Sequence, residues 1–257
     1  MIIKQDMIYS PKGKNRPLHI YLPDDYEESE ERYPVMYFFD GHNLFFDEDA
    51  TYGKSWGLKT FLDQWDKKII IVGIECGHEG YERLSEYAPY CPFRLFYEGA
   101  ESQGDVTMQW IVNEIKPLID RTFRTWPHRE ATGIGGSSMG GIMALYGLVH
   151  YNQYFSKGAC VSSAIGYCMP LLMEDMKESE IQTDTRAFLS WGTKEAQGIR
   201  DENQEDHSST TWKNNKAVAD RFLELGAIPR LYCQVGGAHC EADWEKQVPL
   251  FMEFLWK

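Results

Sequence analysis

The sequence predicts an α/β fold in which a mainly parallel, twisted sheet of about eight strands carries helices on both faces. Three observations lead to this prediction. Strand-like and helix-like segments alternate along the chain, which is typical of a parallel sheet with right-handed crossovers. The central strand-like segments are continuously apolar, as in strands buried on both faces. The length of 257 residues suits a single domain, residues 1–257, with a full core.

An N-terminal strand pair opens the predicted sheet. Residues 2–10 and 18–22 have the strand pattern, and the Pro, Gly and Asn content of 11–15 predicts the turn between them. Further strands are expected at 35–39, 69–74, 130–134, 158–162, 187–191 and 230–235. Helices are expected at 106–123, 139–149, 214–225 and 242–256. In such a sheet ligands bind beyond the carboxyl ends of the strands, so a functional site is expected there.

Composition and charge disfavour several classes of function for this chain. The net charge of −13 disfavours binding to nucleic acid or to an anionic membrane surface. No apolar run approaches the length of a membrane span, and the first residues lack the apolar region of a signal peptide. The cysteines have no C-x-x-C spacing, and their even number could indicate disulfides. Because a secretion signal is lacking, we expect free thiols and a reducing, cytoplasmic location. These cysteines are Cys76, Cys91, Cys160, Cys168, Cys233 and Cys240. A homodimer is expected because dimers are the commonest oligomers.

Residues 136–140, Gly-Ser-Ser-Met-Gly, fit the G-x-S-x-G nucleophile elbow with Ser138 at the centre. A serine hydroxyl is a weak nucleophile, so it needs exposure at a sharp turn, a neighbouring base and donors for the oxyanion. A strand-like run precedes the motif and an apolar, helix-like run follows it. A phosphate-binding P-loop is disfavoured because no Lys follows in the required pattern. A plain glycine-rich turn is the alternative interpretation.

The other members of a catalytic triad are expected at later strand ends, in the order acid and then histidine. His239 directly follows the last predicted strand and is the expected base. A metal cluster of His239 with Cys240, Glu241 and Asp243 is disfavoured because the spacing offers no second ligand pair. Glu195 follows the strand at 187–191 and is the expected acid, which would accept a hydrogen bond from the imidazole Nδ1–H. Its rivals in the next loop are Asp201, Glu202, Glu205 and Asp206.

An oxyanion hole needs two backbone donors in this kind of site. One is the N–H of the residue after the nucleophile, which is Met139. The other is expected from the loop that follows the strand at 35–39. There the His42 N–H is the first choice and the Asn43 N–H the neighbouring alternative. The Asp40 side chain in the same loop has a structural explanation as well, as a cap of the turn.

Several separated motifs carry a resemblance to a known family. They are the segments 37–45, 55–57, 83–89, 136–141 and 192–195, and Gly237-Ala238-His239 with Trp244. Over residues 15–257 the chain resembles the Putative esterase family of α/β-hydrolases. That family includes esterase D (S-formylglutathione hydrolase), enterochelin esterases, and the feruloyl and acetyl-xylan esterases of carbohydrate esterase family 1. The resemblance implies an α/β-hydrolase fold and a serine esterase with Ser138, Glu195 and His239 as the triad. Glu in place of the commoner Asp is a departure that leaves the acid open.

We therefore predict a serine carboxylic-ester hydrolase that works through an acyl-enzyme. Its expected substrates are small esters, or acyl, feruloyl or acetyl esters of carbohydrates. This chemistry requires neither a metal nor an organic cofactor. An acyltransferase or thioesterase with the same triad is the alternative among enzymes. A non-catalytic binding protein of the same fold is the alternative from another class, and the complete set of Ser, acid and His argues against it.

A small cap is expected in the segment 164–185, where Pro170 suits the first turn of a short helix. Two interpretations are open: an amphipathic helix that packs on the core, or a low cap that leaves the cleft open to a bulky ester. The expected substrate-binding residues are Trp56, Trp191 and Tyr167, because aromatic rings pack well against sugars and aryl acids. Trp244 is a further candidate, and structural packing is the alternative for each tryptophan.

Overall fold

The computed structural model describes residues 1–90 and 101–257. Its strands are β1 (Ile2–Gln5), β2 (Ile8–Tyr9), β3 (Lys14–Asn15), β4 (Leu18–Tyr21), β5 (Val35–Phe39), β6 (Ile70–Ile74), β7 (Thr132–Ser137), β8 (Lys157–Val161), β9 (Arg186–Gly192) and β10 (Ile228–Gln234). Its α-helices are α1 (Leu58–Leu62), α2 (Glu82–Glu86), α3 (Gly104–Trp110), α4 (Lys116–Thr122), α5 (Met139–His150), α6 (Met169–Glu178), α7 (Thr210–Glu224), α8 (Glu241–Glu245) and α9 (Val248–Leu255). A π-helical turn at Ile111–Ile115 joins α3 to α4.

The main sheet has eight strands in the order β1-β4-β6-β5-β7-β8-β9-β10. The pairs β1–β4 and β4–β6 are antiparallel, and the pairs from β6 to β10 are parallel. This confirms the predicted α/β fold, a mainly parallel sheet of eight strands with helices. The loops after β5, β7, β8, β9 and β10 all leave from one edge, because the carboxyl ends of parallel strands meet at the same edge.

Hydrophobic cores cover both faces of the sheet. Along β5, Val35, Tyr37 and Phe39 belong to one core cluster, and the alternating Met36 and Phe38 belong to the other. The first cluster contains apolar residues of α3, α5, α6 and α7, and the second contains those of α1 and α9. Since successive side chains of a strand point to opposite faces, helices cover the sheet on both sides. Burial on both faces explains why the central strands are apolar without alternation.

The N-terminal strand pair differs from the prediction. A single strand at 2–10 was expected, but β1 pairs with β4 and ends at Gln5, while β2 forms a separate two-stranded sheet with β3. The amides of Lys12 and Gly13 both donate to the carbonyl of Tyr9, and Gly13 has a φ of +65°. This tight local turn closes a small hairpin, so β2 leaves the main sheet.

The elbow strand runs from Thr132 to Ser137, later than the expected 130–134. Glycine has little intrinsic preference for strands, so the glycines of this segment hid its second half from the sequence pattern. Packing requires at least one of them. A Cβ at Gly135 would lie 2.6 Å from the Phe38 ring on the neighbouring strand β5. The Phe38 ring therefore explains why this position of the strand is a glycine.

Two helices also have different bounds from those expected. Helix α7 begins at Thr210 rather than 214, because the Ser209 hydroxyl caps it and accepts a hydrogen bond from the Trp212 amide at 3.1 Å. The expected terminal helix at 242–256 is divided into α8 and α9. Pro249 lies in the first turn of α9, where the missing N–H of proline is tolerated but a continuing helix is not.

Free thiols were expected for the cysteines, and the structure has them at Cys76, Cys160, Cys168, Cys233 and Cys240. Cys91 lies outside the described residues. Over residues 1–90 and 101–257, none of the helices combines the length and apolar character required to cross a membrane. In the expected cap, Leu172 and Met176 of α6 are buried in the core, which favours the interpretation of this segment as an amphipathic helix packed on the core.

Candidate active site

Ser138 lies at a sharp turn between β7 and α5 with φ +57° and ψ −117°. A positive φ is rare for a residue with a Cβ and stores strain, which is typical of a functional position. The flanking glycines permit the turn, since a Cβ at Gly136 would lie 2.7 Å from the carbonyl carbon of Gly140. The Ser138 amide donates to the Val161 carbonyl on β8 at 3.0 Å. The strand-turn-helix context that the nucleophile elbow requires is therefore present.

Glu195 and His239 come from the loops that follow β9 and β10. These loops leave the sheet side by side, because Gly192 and Gln234 are register partners. They also touch, since a Cβ at Gly192 would lie 2.2 Å from the Gly237 carbonyl oxygen. This close approach joins the Glu195 Oε2 to the His239 Nδ1 through a short hydrogen bond. The acid and the base that the sequence indicated are thus in direct contact.

The other oxygen of Glu195 is held in place as well. Oε1 accepts hydrogen bonds from the Ser162 hydroxyl and from the Gly192 amide, each at 2.6 Å. The Ser162 hydroxyl in turn accepts from the Trp244 Nε1–H at 3.0 Å, and the Trp244 ring meets the His239 ring edge to face at 5.0 Å. Trp244 therefore supports the acid and the imidazole together.

The rival carboxylates lie elsewhere. Asp206 forms an ion pair with Arg200, Asp201 accepts from the Asn203 amide, and Glu205 lies near His207. The Arg200 hydrogen bonds lower the pKa of Asp206 below its ordinary value. In the described part of the chain, Glu195 is the carboxylate that contacts His239, and Glu202 has no such contact.

Ser138 and His239 line the same cavity, together with Glu195. No hydrogen bond connects the Ser138 hydroxyl to His239 within the described residues. In enzymes without substrate, catalytic hydrogen bonds are often long and tighten only when substrate binds. The three side chains are therefore brought to one place, with the Ser–His contact left open.

The loop after β5 contains both candidates for the second oxyanion donor, His42 and Asn43. Asp40 adopts the left-handed conformation, with φ +57°, and a short 3-10 helix follows at Gly41–Asn43. The Asn43 amide donates to the Asp40 carbonyl at 2.9 Å, so it is already used within the turn. The His42 and Met139 amides lie in the first turns of their helices, where N–H groups lack helical partners. This favours His42 over Asn43 as the second donor.

Sequence reasoning missed the ion pair that holds this loop. The Asp40 carboxylate is buried and accepts two hydrogen bonds from Arg83, from Nε to Oδ1 and from Nη2 to Oδ2, both at 2.7 Å. Burial alone would raise the pKa of Asp40, but the charge and hydrogen bonds of Arg83 outweigh it and lower that pKa. The Asp40 amide also donates to the Tyr87 hydroxyl at 3.1 Å. Asp40 is therefore more than a turn cap.

Two cavities flank Ser138. The first has a volume of about 340 Å³ and lies between the segment before α6 and the start of α7. Its lining residues include the predicted Tyr167 and Trp191, and also Ser163, Gln197, Asn214 and Asn215. The second has a volume of about 520 Å³ and lies between the loops after β5 and β6. Its lining residues include Asp40, His42, Thr51, Cys76, His78, Arg83 and Glu241.

Trp56 corrects one expectation. It was expected to bind substrate, but it is 3% exposed, and neither cavity at Ser138 is lined by it. Its ring packs on Trp244 at 5.7 Å, on Phe38 and on Phe251. A large apolar ring gains most from complete burial, so Trp56 supports the core beneath Trp244. Trp191 is also 3% exposed but does line the first cavity, and Tyr167, at 43% exposed, lies at its surface.

One group of side chains in the described part of the chain could hold a metal ion. It consists of His42, Cys76 and His78, whose ligand atoms lie within 4.8 Å of one another. The residues around His239 do not form a comparable metal-binding group. There the Asp243 carboxylate accepts hydrogen bonds from the Ala238 amide and from Lys246. The observed group has little signal in the sequence because His42 lies more than thirty residues before its partners.

The contact between Gly41 and Gly73 predicts a measurable effect. A Cβ at Gly41 would lie 2.4 Å from the Gly73 carbonyl carbon on β6, so Gly41→Ala must displace the loop that carries the His42 amide. We expect the free energy of unfolding to fall by about 1–3 kcal/mol. Loss of one oxyanion donor should lower kcat by about 10²–10³-fold. Urea unfolding and p-nitrophenyl acetate hydrolysis measure the two effects.

Gly53→Ala is the matched control for this prediction. Gly53 has a φ of +69° but has no heavy atom within 4 Å of its added Cβ. The Gly53→Ala variant should lose about 1–2 kcal/mol of its free energy of unfolding because of backbone strain alone, and its kcat should not change. Unchanged kcat in Gly41→Ala would argue against His42 as an oxyanion donor.

Together, the sheet order, the strained serine after β7 and the acid–histidine pair after β9 and β10 define an enzyme of the α/β-hydrolase fold. The chain belongs to the Esterase family, because the family model described as "Putative esterase" matches residues 10–255. The protein is an ester hydrolase by this membership, as the motif resemblance indicated.

Individual proteins are similar to this chain in sequence or in structure. Uncharacterized protein YbbA of Bacillus subtilis (strain 168) is 25% identical over 251 residues, which are 95% of this chain and 94% of that protein. Esterase Rv1288 of Mycobacterium tuberculosis (strain H37Rv) is 29% identical over 147 residues, which are 56% of this chain and 28% of that protein. The crystal structure of an IroE-like serine hydrolase from Shewanella oneidensis has a TM-score of 0.73 at 20% identity. That match covers 99% of this chain and 79% of the other, and it supports the fold.

Proposed function

We propose that this protein is a serine carboxylic-ester hydrolase that works through an acyl-enzyme on Ser138. The observation that carries the proposal is the hydrogen bond between Glu195 and His239 in the cavity that Ser138 also lines. A carboxylate on Nδ1 fixes the imidazole tautomer, so that Nε2 is the acceptor for a serine proton. A strained serine beside such a pair is difficult to explain as a packing feature.

The proposed reaction has two half-reactions. His239 takes the Ser138 proton while the serine oxygen attacks the ester carbonyl, and the carbonyl oxygen becomes an oxyanion. The amides of Met139 and His42 stabilise that charge. The tetrahedral intermediate collapses, and His239 gives its proton to the departing alkoxide. Water then attacks the acyl-enzyme with His239 again as the base, which releases the acid and restores Ser138.

The first cavity supports a substrate with hydrogen-bonding groups near the ester. The Ser163 hydroxyl oxygen and the Asn215 Oδ1 are buried and lack hydrogen-bond partners in the part of the chain that the structure describes, and both residues line this cavity. Buried polar atoms without partners are costly, so a ligand that satisfies them gains affinity. Carbohydrate-linked acetyl or feruloyl esters have suitable hydroxyls, and Trp191 and Tyr167 would offer aromatic surfaces. We propose esters of this polar type over purely aliphatic ones.

Covalent labelling tests the proposed nucleophile. The wild-type protein should react with a fluorophosphonate probe at one site, and peptide mass spectrometry should find the label on Ser138. Ser163→Ala is the matched control, because it removes another hydroxyl from the same cavity and should label as the wild type does. A label on Ser163, or none on the folded protein, would refute the acyl-enzyme proposal.

Substrate comparison tests the finer proposal. We expect higher kcat/KM for acetylated xylo-oligosaccharides and feruloyl sugars than for butyryl and longer aliphatic esters. Asn215→Ala should reduce this preference by raising the KM of the polar esters. Release of an ester instead of an acid when an alcohol is added would favour the acyltransferase alternative, and faster turnover of thioesters would favour the thioesterase.

A further inference from the structure

Three side chains with metal-binding atoms converge at the second cavity, away from Glu195. His42 is in the 3-10 helix after β5, and Cys76 and His78 follow β6. The three ligand atoms lie within 4.8 Å of one another, and the cavity that they line reaches Ser138. The two loops leave neighbouring parallel strands at the same edge of the sheet, so the cluster results from the strand order.

The His42 ring has one nitrogen in use and one without a partner. Nε2 is hydrogen-bonded to the Thr51 hydroxyl at 2.9 Å, while Nδ1 is buried and has no hydrogen-bond partner among residues 1–90 and 101–257. The residue is only 7% exposed. A ring nitrogen that carries no proton can donate its lone pair to a metal ion. A buried polar atom without a partner requires an explanation, and a metal-binding role is one.

The partners of His78 also suit a metal ligand. Its Nε2 is hydrogen-bonded to Glu75 Oε1 at 2.8 Å, and the other oxygen of Glu75 is bonded to His19 at 2.8 Å. A carboxylate behind a ligating imidazole is a common arrangement that orients the ring toward the metal.

Cys76 completes the set with a soft ligand. Its side chain is buried beside the Asp40 carboxylate. A metal ion that binds the sulfur as a thiolate displaces the thiol proton to solvent. The charge of Asp40 is balanced by Arg83, the Glu241 carboxyl group lines the same cavity, and Glu75 lies behind the His78 ring. This environment is compatible with a divalent cation.

We propose that His42, Cys76 and His78 form a binding site for Zn²⁺ and that the bound ion inhibits the esterase. Two imidazoles and one thiolate are a donor set that zinc prefers, with the fourth position open to water or substrate. Donors on one tetrahedral zinc ion lie about 3.3–3.8 Å apart, given bonds of about 2.0–2.3 Å. The ligand atoms must therefore move closer by about 1 Å. The exposed side chain of His78 can supply this movement.

Inhibition follows from the position of the site. The His42 ring would hold the metal, while the His42 amide is the proposed second donor to the oxyanion. Binding would fix the loop in the geometry of the metal site, and the open coordination position would face the cavity that reaches Ser138. This part of the inference depends on the proposed function, whereas the binding of zinc does not.

Metal titration of the full-length, chelator-treated protein tests the binding. We expect about one Zn²⁺ per chain by calorimetry. Co²⁺ in place of zinc should produce the near-ultraviolet charge-transfer absorption of a thiolate ligand. Cys76→Ser should abolish that absorption, and His78→Gln should weaken zinc binding by at least about tenfold. The matched controls are Cys233→Ser and His207→Gln, which change the same residue types away from the cluster and should bind as the wild type does.

A second experiment measures the inhibition of esterase activity by zinc. Zinc should lower the hydrolysis of p-nitrophenyl acetate, EDTA should restore it, and His78→Gln should require at least about tenfold more zinc for the same inhibition. Several results would overturn the inference: no zinc binding to the wild type, a Co²⁺ complex without thiolate absorption, or equal inhibition of wild type and His78→Gln. The last result would assign the inhibition to another site, such as the His239–Glu195 pair. Calorimetry and Co²⁺ absorption remain informative even without measurable esterase activity.

Discussion

Ser138→Ala is expected to lower the kcat for p-nitrophenyl acetate by about 10⁶-fold. The substitution removes the only atom that can form the acyl bond in the proposed reaction, while the oxyanion donors and the cavities remain. The Ser138 side chain has no hydrogen bond within the described residues, so its loss should change the free energy of unfolding by no more than about 0.5 kcal/mol. Stopped-flow kinetics and urea unfolding measure the two quantities.

Combination with His239→Ala sharpens this prediction. Residues that act as one unit have effects that do not add, so the double variant should be about as active as either single variant. Ser163→Ala, which removes a hydroxyl from the same cavity, is the control and should keep its kcat within about tenfold. Losses that multiply in the double variant would mean that Ser138 and His239 act in separate steps, which would contradict the proposed mechanism.

Glu195→Gln is expected to lower kcat by about 10⁴-fold. The amide oxygen can still accept from Ser162 and from the Gly192 amide, but its NH₂ group would then face the His239 Nδ1. An NH₂ donor favours the tautomer with the proton on Nε2, and that tautomer cannot take a proton from Ser138. The imidazolium that forms in the transition state also loses its counter-charge. Steady-state kinetics at neutral pH measures the effect.

Asp206→Asn and Glu202→Gln are the controls, since both change a carboxylate of the rival loop without touching His239. Asp206→Asn should cost stability, because it breaks the ion pair with Arg200, but it should leave kcat near the wild-type value. A strong loss of kcat in either control, together with near-normal kcat in Glu195→Gln, would move the acid to the 201–206 loop. Circular dichroism should accompany each assay to confirm that the variants are folded.

Much of the fold could be predicted from local sequence. Apolar continuity located β5 and β6, and helical spacing located the long segment before the elbow, because these patterns depend on nearest neighbours along the chain. The predicted strands differ from the structure where contacts between residues far apart in the chain determine the fold. Gly135 of β7 is required by the Phe38 ring on another strand, and β2 pairs with β3 instead of continuing β1. Contacts of this kind produce no periodic pattern of apolar residues in the sequence.

The order of residues along the chain by itself identified the candidate serine, carboxylate and histidine. An acid and a base that follow successive parallel strands must lie at the same edge of the sheet. Only the tertiary structure decided how they are held. It joined Glu195 to Ser162 and Ser162 to Trp244, placed Trp56 in the core, and paired Asp40 with Arg83. These are contacts between segments far apart in the chain, and they depend on strand order and side-chain volume, which residue spacing does not encode.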